Sequence, residues 1–311
     1  MKTPKLRRLA LTLAAVAAVL AVVSGALAVR TFLREKEADE VMETVSAETA
    51  RPEETSAPEA HTAVSPTPAV DTDVQKALKD FTAAQGGVWD LYYESLSTGA
   101  YADAQSGHGA EPRSVAASVI KLFVMGAVYD SDASGKLDAD ALHDDLKRMI
   151  ALSDNDACNR LVRTLGGGDA ASGLAAVNRF AAAVGCTGTQ MNRLMLQNNG
   201  TENYVTARDC ALLLKQIYTG SCVSEEASAD MLELLKAQTV NDRLPASLPQ
   251  GVTVAHKTGN LSNLSCGDVG IIFTSSGDYI FCVLSNYAQN DVQTTAAIAA
   301  LSRTVYDLAT A

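Results

Sequence analysis

Positive charge is scarce in this 311-residue chain: 25 Lys and Arg stand against 36 Asp and Glu, giving a formal net charge of -11. No stretch gathers the basic residues that a phosphate backbone requires, so a nucleic-acid partner is excluded and an acidic, well-solvated surface is expected. Metal-ligand patterns are missing too. The six cysteines contain no CxxC pair, and His61, His108, His143 and His256 have no ligand spacing, so neither a metal nor another cofactor is expected. No internal repeat is visible. What the chain has is apolar content: 47% hydrophobic and 20% charged residues suit a domain with a sizeable core.

The N-terminus differs from the rest. Lys2, Lys5, Arg7 and Arg8 precede an uncharged stretch, Leu9 to Val29. At about 1.5 Å per residue that stretch crosses a hydrocarbon layer of ~30 Å as a helix. Residues 1–34 therefore read as a membrane anchor, with the body of the protein outside the cytoplasm. Ala26-Leu27-Ala28 also fits a small-residue cleavage site, which would make the protein secreted instead. Residues 35–70 are rich in Glu, Thr, Ala and Pro (Pro52, Pro58, Pro66, Pro68) and poor in large apolar side chains, as expected of an unfolded tether. The folded domain is expected over 71–311 and acts as a monomer. Export permits disulfides, although a domain of this size does not require them. A Cys210–Cys222 bridge is disfavoured, because the helical stretch between them holds their Cα atoms beyond ~7 Å.

Within 71–311 the spacing of Val74, Leu78 and Phe81 predicts a helix over 74–84, and Val88 to Leu96 then alternates as a strand. From Ser118 to about Leu235 the pattern is helical, with segments at 139–152, 170–184, 207–218 and 227–237. Short β-branched or aromatic runs return at 252–256, 269–273 and 279–285, the last two joined by Ser275-Ser276-Gly277-Asp278, and a helix closes the chain over 292–308. The fold class is α/β: an antiparallel sheet built from both chain ends, with a helical subdomain inserted between them.

Three short motifs carry chemistry. Ser118 and Lys121 lie one helical turn apart at the start of a segment, 119–128, that is apolar on every side. Burial there lowers the basicity of Lys121 toward that of a usable base, and the helix start favours an oxyanion. Ser-x-x-Lys is common by chance, and alone it reads equally as a helix cap beside a snorkelling lysine. Ser153-Asp154-Asn155 falls between two helical segments and could be only a capping cluster. In a functional account Ser153 passes a proton to a leaving nitrogen, Asn155 holds a substrate amide, and Asp154 braces the turn. Lys257-Thr258-Gly259 follows the strand at 252–256, either as an ordinary polar turn or as a substrate-carboxylate site in which Lys257 and Thr258 bind and Gly259 allows close approach. Asn260 could add a second backbone N–H beside that of Ser118 to form an oxyanion hole.

All three occur once, in the order Ser-x-x-Lys, Ser-Asp-Asn, Lys-Thr-Gly, which is the signature of class A β-lactamases and penicillin-binding proteins. Over 71–311 the chain closely resembles that family. The resemblance implies a β-lactamase/transpeptidase-like fold and acyl transfer: Ser118 attacks an amide or lactam carbonyl, Lys121 assists, Ser153 shuttles the proton, and water later releases the acyl group. Lys257 with Asn155, Thr258, Gly259 and Asn260 would bind a β-lactam or a D-alanyl-D-alanine-type peptide. Arg243 stands where some relatives carry a carboxylate-binding arginine, although it could equally be a surface residue.

The chain also departs from the class A pattern. The Arg-x-Glu-x-x-Leu-Asn loop, whose Glu activates the deacylating water, is matched by 193–199, which keeps Arg193 and Asn199 but puts Met195 in place of Glu. Glu202, the nearest carboxylate, reads as a solvated loop charge. The short spacing from Ser118 to Ser153 reduces one wall of the cleft. The acylation set is thus complete and the deacylation set is not. Three activities remain open: a β-lactamase with weak release, a D-alanyl-D-alanine peptidase, or a membrane-tethered sensor that stays acylated.

Overall fold

The computed structural model describes residues 69–109, 111–198, 200–287 and 291–311. The anchor expected over 1–34 and all but the last two residues of the tether over 35–70 lie outside these. Among the described residues no helix is long and apolar enough to cross a membrane.

The chain enters through α1 (Thr72–Gln85), whose first turn is capped by Asp71 accepting from the Val74 amide at 3.0 Å. Strands β1 (Val88–Ser95) and β2 (Tyr101–Ser106) form a hairpin, and β3 (Ser114–Val115) follows. A tight 3-10 turn (Ala117–Ile120) leads into α2 (Lys121–Ala133). A second 3-10 turn (Asp140–Leu142) precedes α3 (His143–Ala151), and α4 (Asn155–Leu165) and α5 (Ala170–Ala183) come next. Strand β4 (Tyr204–Val205) pairs with β3, and α6 (Ala207–Tyr218) and α7 (Glu225–Lys236) complete the helical block. Strands β5 (Thr253–Leu261), β6 (Ser265–Phe273) and β7 (Tyr279–Asn286) and helix α8 (Asp291–Ala309) end the chain.

The five-stranded antiparallel sheet has the order β2-β1-β7-β6-β5, so the two chain ends meet at the β1–β7 pairing. This is the expected topology. Both faces of the sheet are covered, which is why β6 and β7 are buried almost throughout. Alternation along a strand divides the side chains between two cores. Leu91, Tyr93, Phe281 and Val283 face α1 and α8, whereas Tyr92, Cys282 and Leu284 face the helical block.

At the centre of that block runs α2, buried from Lys121 to Tyr129 as its all-round apolar sequence predicts. Gly126 permits the crossing with α5: a Cβ there would lie 2.3 Å from the Phe180 ring.

Two local expectations change. Ser118 sits inside the 3-10 turn rather than at an α-helix start, and Ala117 before it takes a left-handed φ of 43°. Lys257-Thr258-Gly259 does not end its strand, because β5 continues to Leu261 as the sheet edge beside the nucleophile turn.

Candidate active site

Three elements bring the motif residues together: the 3-10 turn with the first turn of α2, the α3–α4 turn, and edge strand β5. Lys121 is fully buried, and its Nζ lies 3.0 Å from Ser118 Oγ, 2.6 Å from Ser153 O, 2.7 Å from Asn155 Oδ1 and 3.3 Å from Ser153 Oγ. Lys257, also fully buried, donates to Ser153 Oγ at 3.0 Å and to Thr258 O at 2.8 Å. Ser153 therefore stands between two lysines. Burial pushes Lys121 down to about 8, and burial followed by repulsion from Lys121 pushes Lys257 down to about 7.

Local geometry explains the convergence. Asp154 caps α4 by accepting from the Asp156 and Ala157 amides and pairs with Arg148 at 2.6 Å, which is the bracing role expected of it. Ser153 beside it has a left-handed φ of 57°, so strained backbone adjoins both serines. Gly259 is required: a Cβ would meet Val119 Cγ2 at 2.9 Å and Ala116 O at 3.0 Å, and β5 would be forced away from the Ser118 turn.

The cleft is lined by Ser118, Asn155, Met195, Leu196, Glu202 and Asn260, among others. Asn155 spends Oδ1 on Lys121, which leaves its amide nitrogen as the group available to a ligand carbonyl. Thr258 is buried on the strand between Lys257 and Gly259. Arg243 is not on the surface. It is 5% exposed, donates to Asn260 Oδ1 at 3.4 Å, and stays one side chain back from the cleft wall.

Sequence reasoning missed several positioning groups. Met195 is clamped at both backbone ends by Asn159, whose Oδ1 accepts from Met195 N at 2.8 Å and whose Nδ2 donates to Met195 O at 3.1 Å. The 193–198 loop is thereby fixed beside Ser118. Glu202 is no solvated charge: it is ion-paired with the buried Arg193 and lines the cleft. Under β5, His256 Nδ1 lies 2.9 Å from Asp268 Oδ1, and Asp268 Oδ2 accepts from the Leu244 amide at 3.1 Å, next to Arg243. Asn199 lies outside the described residues. Among the described residues no cluster of His, Cys, Asp and Glu could hold a metal, and all six cysteines are buried as free thiols.

A sequence model of the beta-lactamase enzyme family matches residues 73–144 and 141–309. The chain belongs to that family. Beta-lactamase FAR-1 of Nocardia farcinica is 29% identical over 144 residues, a match that spans 44% of this chain and 44% of that relative. Among solved structures, PBP-A is 25% identical with a TM-score of 0.68, covering 78% of this chain and 98% of its own. A beta-lactamase from Sphaerobacter thermophilus is also 25% identical, with a TM-score of 0.65, and covers 76% and 97%. The two structural likenesses each cover about three quarters of this chain.

Proposed function

We propose that this protein is a serine hydrolase that opens β-lactam amides through a covalent Ser118 acyl-enzyme, which it releases slowly. The observation that carries this reading is the surrounding of Lys121 Nζ. Four oxygens lie within hydrogen-bonding distance. The two shortest contacts, to Ser153 O and Asn155 Oδ1, go to oxygens that can only accept. A free amine satisfies both with its two protons and directs its lone pair toward the Ser118 hydroxyl. Burial favours that neutral form, so Lys121 is built as the base.

Acylation then follows from the geometry. Ser118 Oγ bonds to the lactam carbonyl carbon as Lys121 takes its proton, and the developing oxyanion is met by the backbone N–H groups of Ser118 and Asn260. The C–N bond breaks, and the nitrogen receives a proton from Ser153 Oγ, which the two lysines can resupply. Lys257, Thr258 and, through Asn260, Arg243 provide the anion-binding side for a substrate carboxylate. Water completes the cycle, but Met195 offers no proton acceptor, and the Glu202 carboxylate is held by Arg193. A mutant of PBP-A forms an acyl-enzyme with penicillin G, which supports β-lactams as acylating substrates here.

A second reading, a D-alanyl-D-alanine peptidase, draws on the same acylation groups and on the likeness to PBP-A along nearly all of that chain. The basic-then-apolar N-terminus supports a location outside the cytoplasm, anchored by an uncleaved segment. One chain supplies every group of the cleft, so a monomer suffices. Labelling with a fluorescent penicillin tests the proposal: wild type becomes labelled and Ser118→Ala does not. Equal labelling of both would remove Ser118 as the nucleophile.

A further inference from the structure

His256 and Asp268 form a buried pair that the acylation chemistry does not use, and each is almost fully shielded from solvent. On β5, His256 shares a face with Thr258 and Asn260, and Gly270, Asp268 and Cys266 stand opposite these three on β6. Gly270 leaves no room for a side chain. A Cβ there would lie 2.6 Å from His256 Cβ, so the strand opposite is fitted to this histidine.

His256 Nδ1 lies 2.9 and 3.0 Å from the two oxygens of Asp268, and its Nε2 lies 3.0 Å from Asn241 Oδ1. Asp268 Oδ2 also accepts from the Leu244 amide at 3.1 Å. Residues 241–244 belong to no helix or strand, and the pair grips them at both ends: through a side chain at Asn241 and through the backbone at Leu244. Arg243 lies between the two grips.

Arg243 needs such a hold. On the cleft side its Nη2 contact with Asn260 Oδ1 is long, 3.4 Å, and its Nε contact with Cys266 Sγ is also 3.4 Å. On the solvent side Nη1 lies 3.1 Å from the carboxylate of the exposed Asp242. A guanidinium attached to a loose backbone would have that carboxylate to follow away from the cleft.

We propose that His256, with Asp268, is a positioning residue for substrate-carboxylate recognition: it holds residues 241–244 so that Arg243 faces Asn260, and it touches no substrate itself. The inference rests on the reading of Lys257, Thr258 and Arg243 as the anion-binding side of the Ser118 site. Ligands that lack the carboxylate should not sense the pair, which separates positioning from a general structural role.

Equilibrium binding to the full chain carrying Ser118→Ala reads the carboxylate contact with no acyl-enzyme formed, so it stands apart from the labelling that tests the nucleophile. Ligand-detected NMR titrations with penicillin G and with its methyl ester should show the acid bound more tightly. Adding Asn241→Ala, at an exposed residue, should weaken the acid about tenfold, the worth of one hydrogen bond, and leave the ester within about twofold. Tm should not move. Adding His256→Asn, whose amide can still donate to Asp268 but falls short of Asn241, should act alike, and the two changes together should weaken binding no more than either alone. Neither should matter once Arg243→Ala is present. Asn241→Ala decides alone if His256→Asn does not fold. Equal binding of acid and ester, equal losses for both ligands, or losses that multiply when the changes are combined would overturn the assignment and reduce His256 to packing.

Discussion

Arg193 and Glu202 are joined as an ion pair on the wall of the Ser118 cleft, so the carboxylate that lines this cleft already serves as a strut. Glu202→Gln would leave a guanidinium that is 9% exposed without its counter-charge, and should cost about 2 kcal/mol in stability. The release rate of a bound penicilloyl group should not change. A thermal melt and a deacylation time course check the two halves, and a large fall in release would make Glu202 the base.

Lys121→Met and Ser153→Ala should each slow acylation by roughly 10² to 10⁴, since each removes a group from the proton path between Ser118 and the leaving nitrogen. Stopped-flow labelling measures this. A normal rate in either variant would show that its side chain is a bystander.

Acylation should rise with pH across about 7 to 8, the interval in which the Lys121–Lys257 pair gives up its first proton. The same shifts set a stability profile. Folded Lys121 and Lys257 release protons that the unfolded chain holds up to the ordinary lysine value of 10.5, so stability increases with pH from about 7. Above the ordinary thiol value of 9.0 the sign reverses. The unfolded chain then loses protons that five buried thiols, Cys158, Cys186, Cys210, Cys222 and Cys282, all pushed up by burial, retain in the fold, and they outnumber the two lysines. Urea titrations should therefore place the stability maximum near pH 8 to 9, and a steady decline from pH 7 would contradict the burial of the two lysines.

Much of this was legible in the sequence. The apolar helix after Ser118, the interhelical Ser153-Asp154-Asn155 turn and the terminal strands all follow from local pattern, and pairing the two chain ends supplies the sheet. What escaped depends on contacts between distant segments or across loops. Lys257, Thr258 and Gly259 look like a turn because polar residues and glycine break strand patterns, yet an edge strand facing a cleft tolerates them. The His256–Asp268 contact depends on strand register, with Asp268 opposite Thr258, and register is invisible before pairing is known. Arg193 and Glu202 sit nine residues apart in an irregular loop, where spacing carries no geometric information.

Arg243→Ala should raise KM for carboxylate-bearing substrates more than it lowers kcat, because Arg243 reaches the cleft only through Asn260 and contributes binding that ground and transition states share. Melting must be followed in parallel, since the side chain is buried. An unchanged KM in a folded variant would confine Arg243 to packing.

Met195→Glu places a carboxylate on a loop that Asn159 already clamps, and should speed release of the penicilloyl group by up to ~10² to 10⁴ while leaving acylation nearly unchanged. A folded variant that releases no faster would mean that another group activates the water.

Intact-protein mass spectrometry of wild type mixed with penicillin G, sampled from milliseconds to hours, tests the central claim most directly. Ring opening expels no fragment, so the adduct should carry the whole mass of the β-lactam, sit on Ser118, and form much faster than it decays. An adduct that survives in Ser118→Ala, or turnover in which release keeps pace with acylation, would contradict the account.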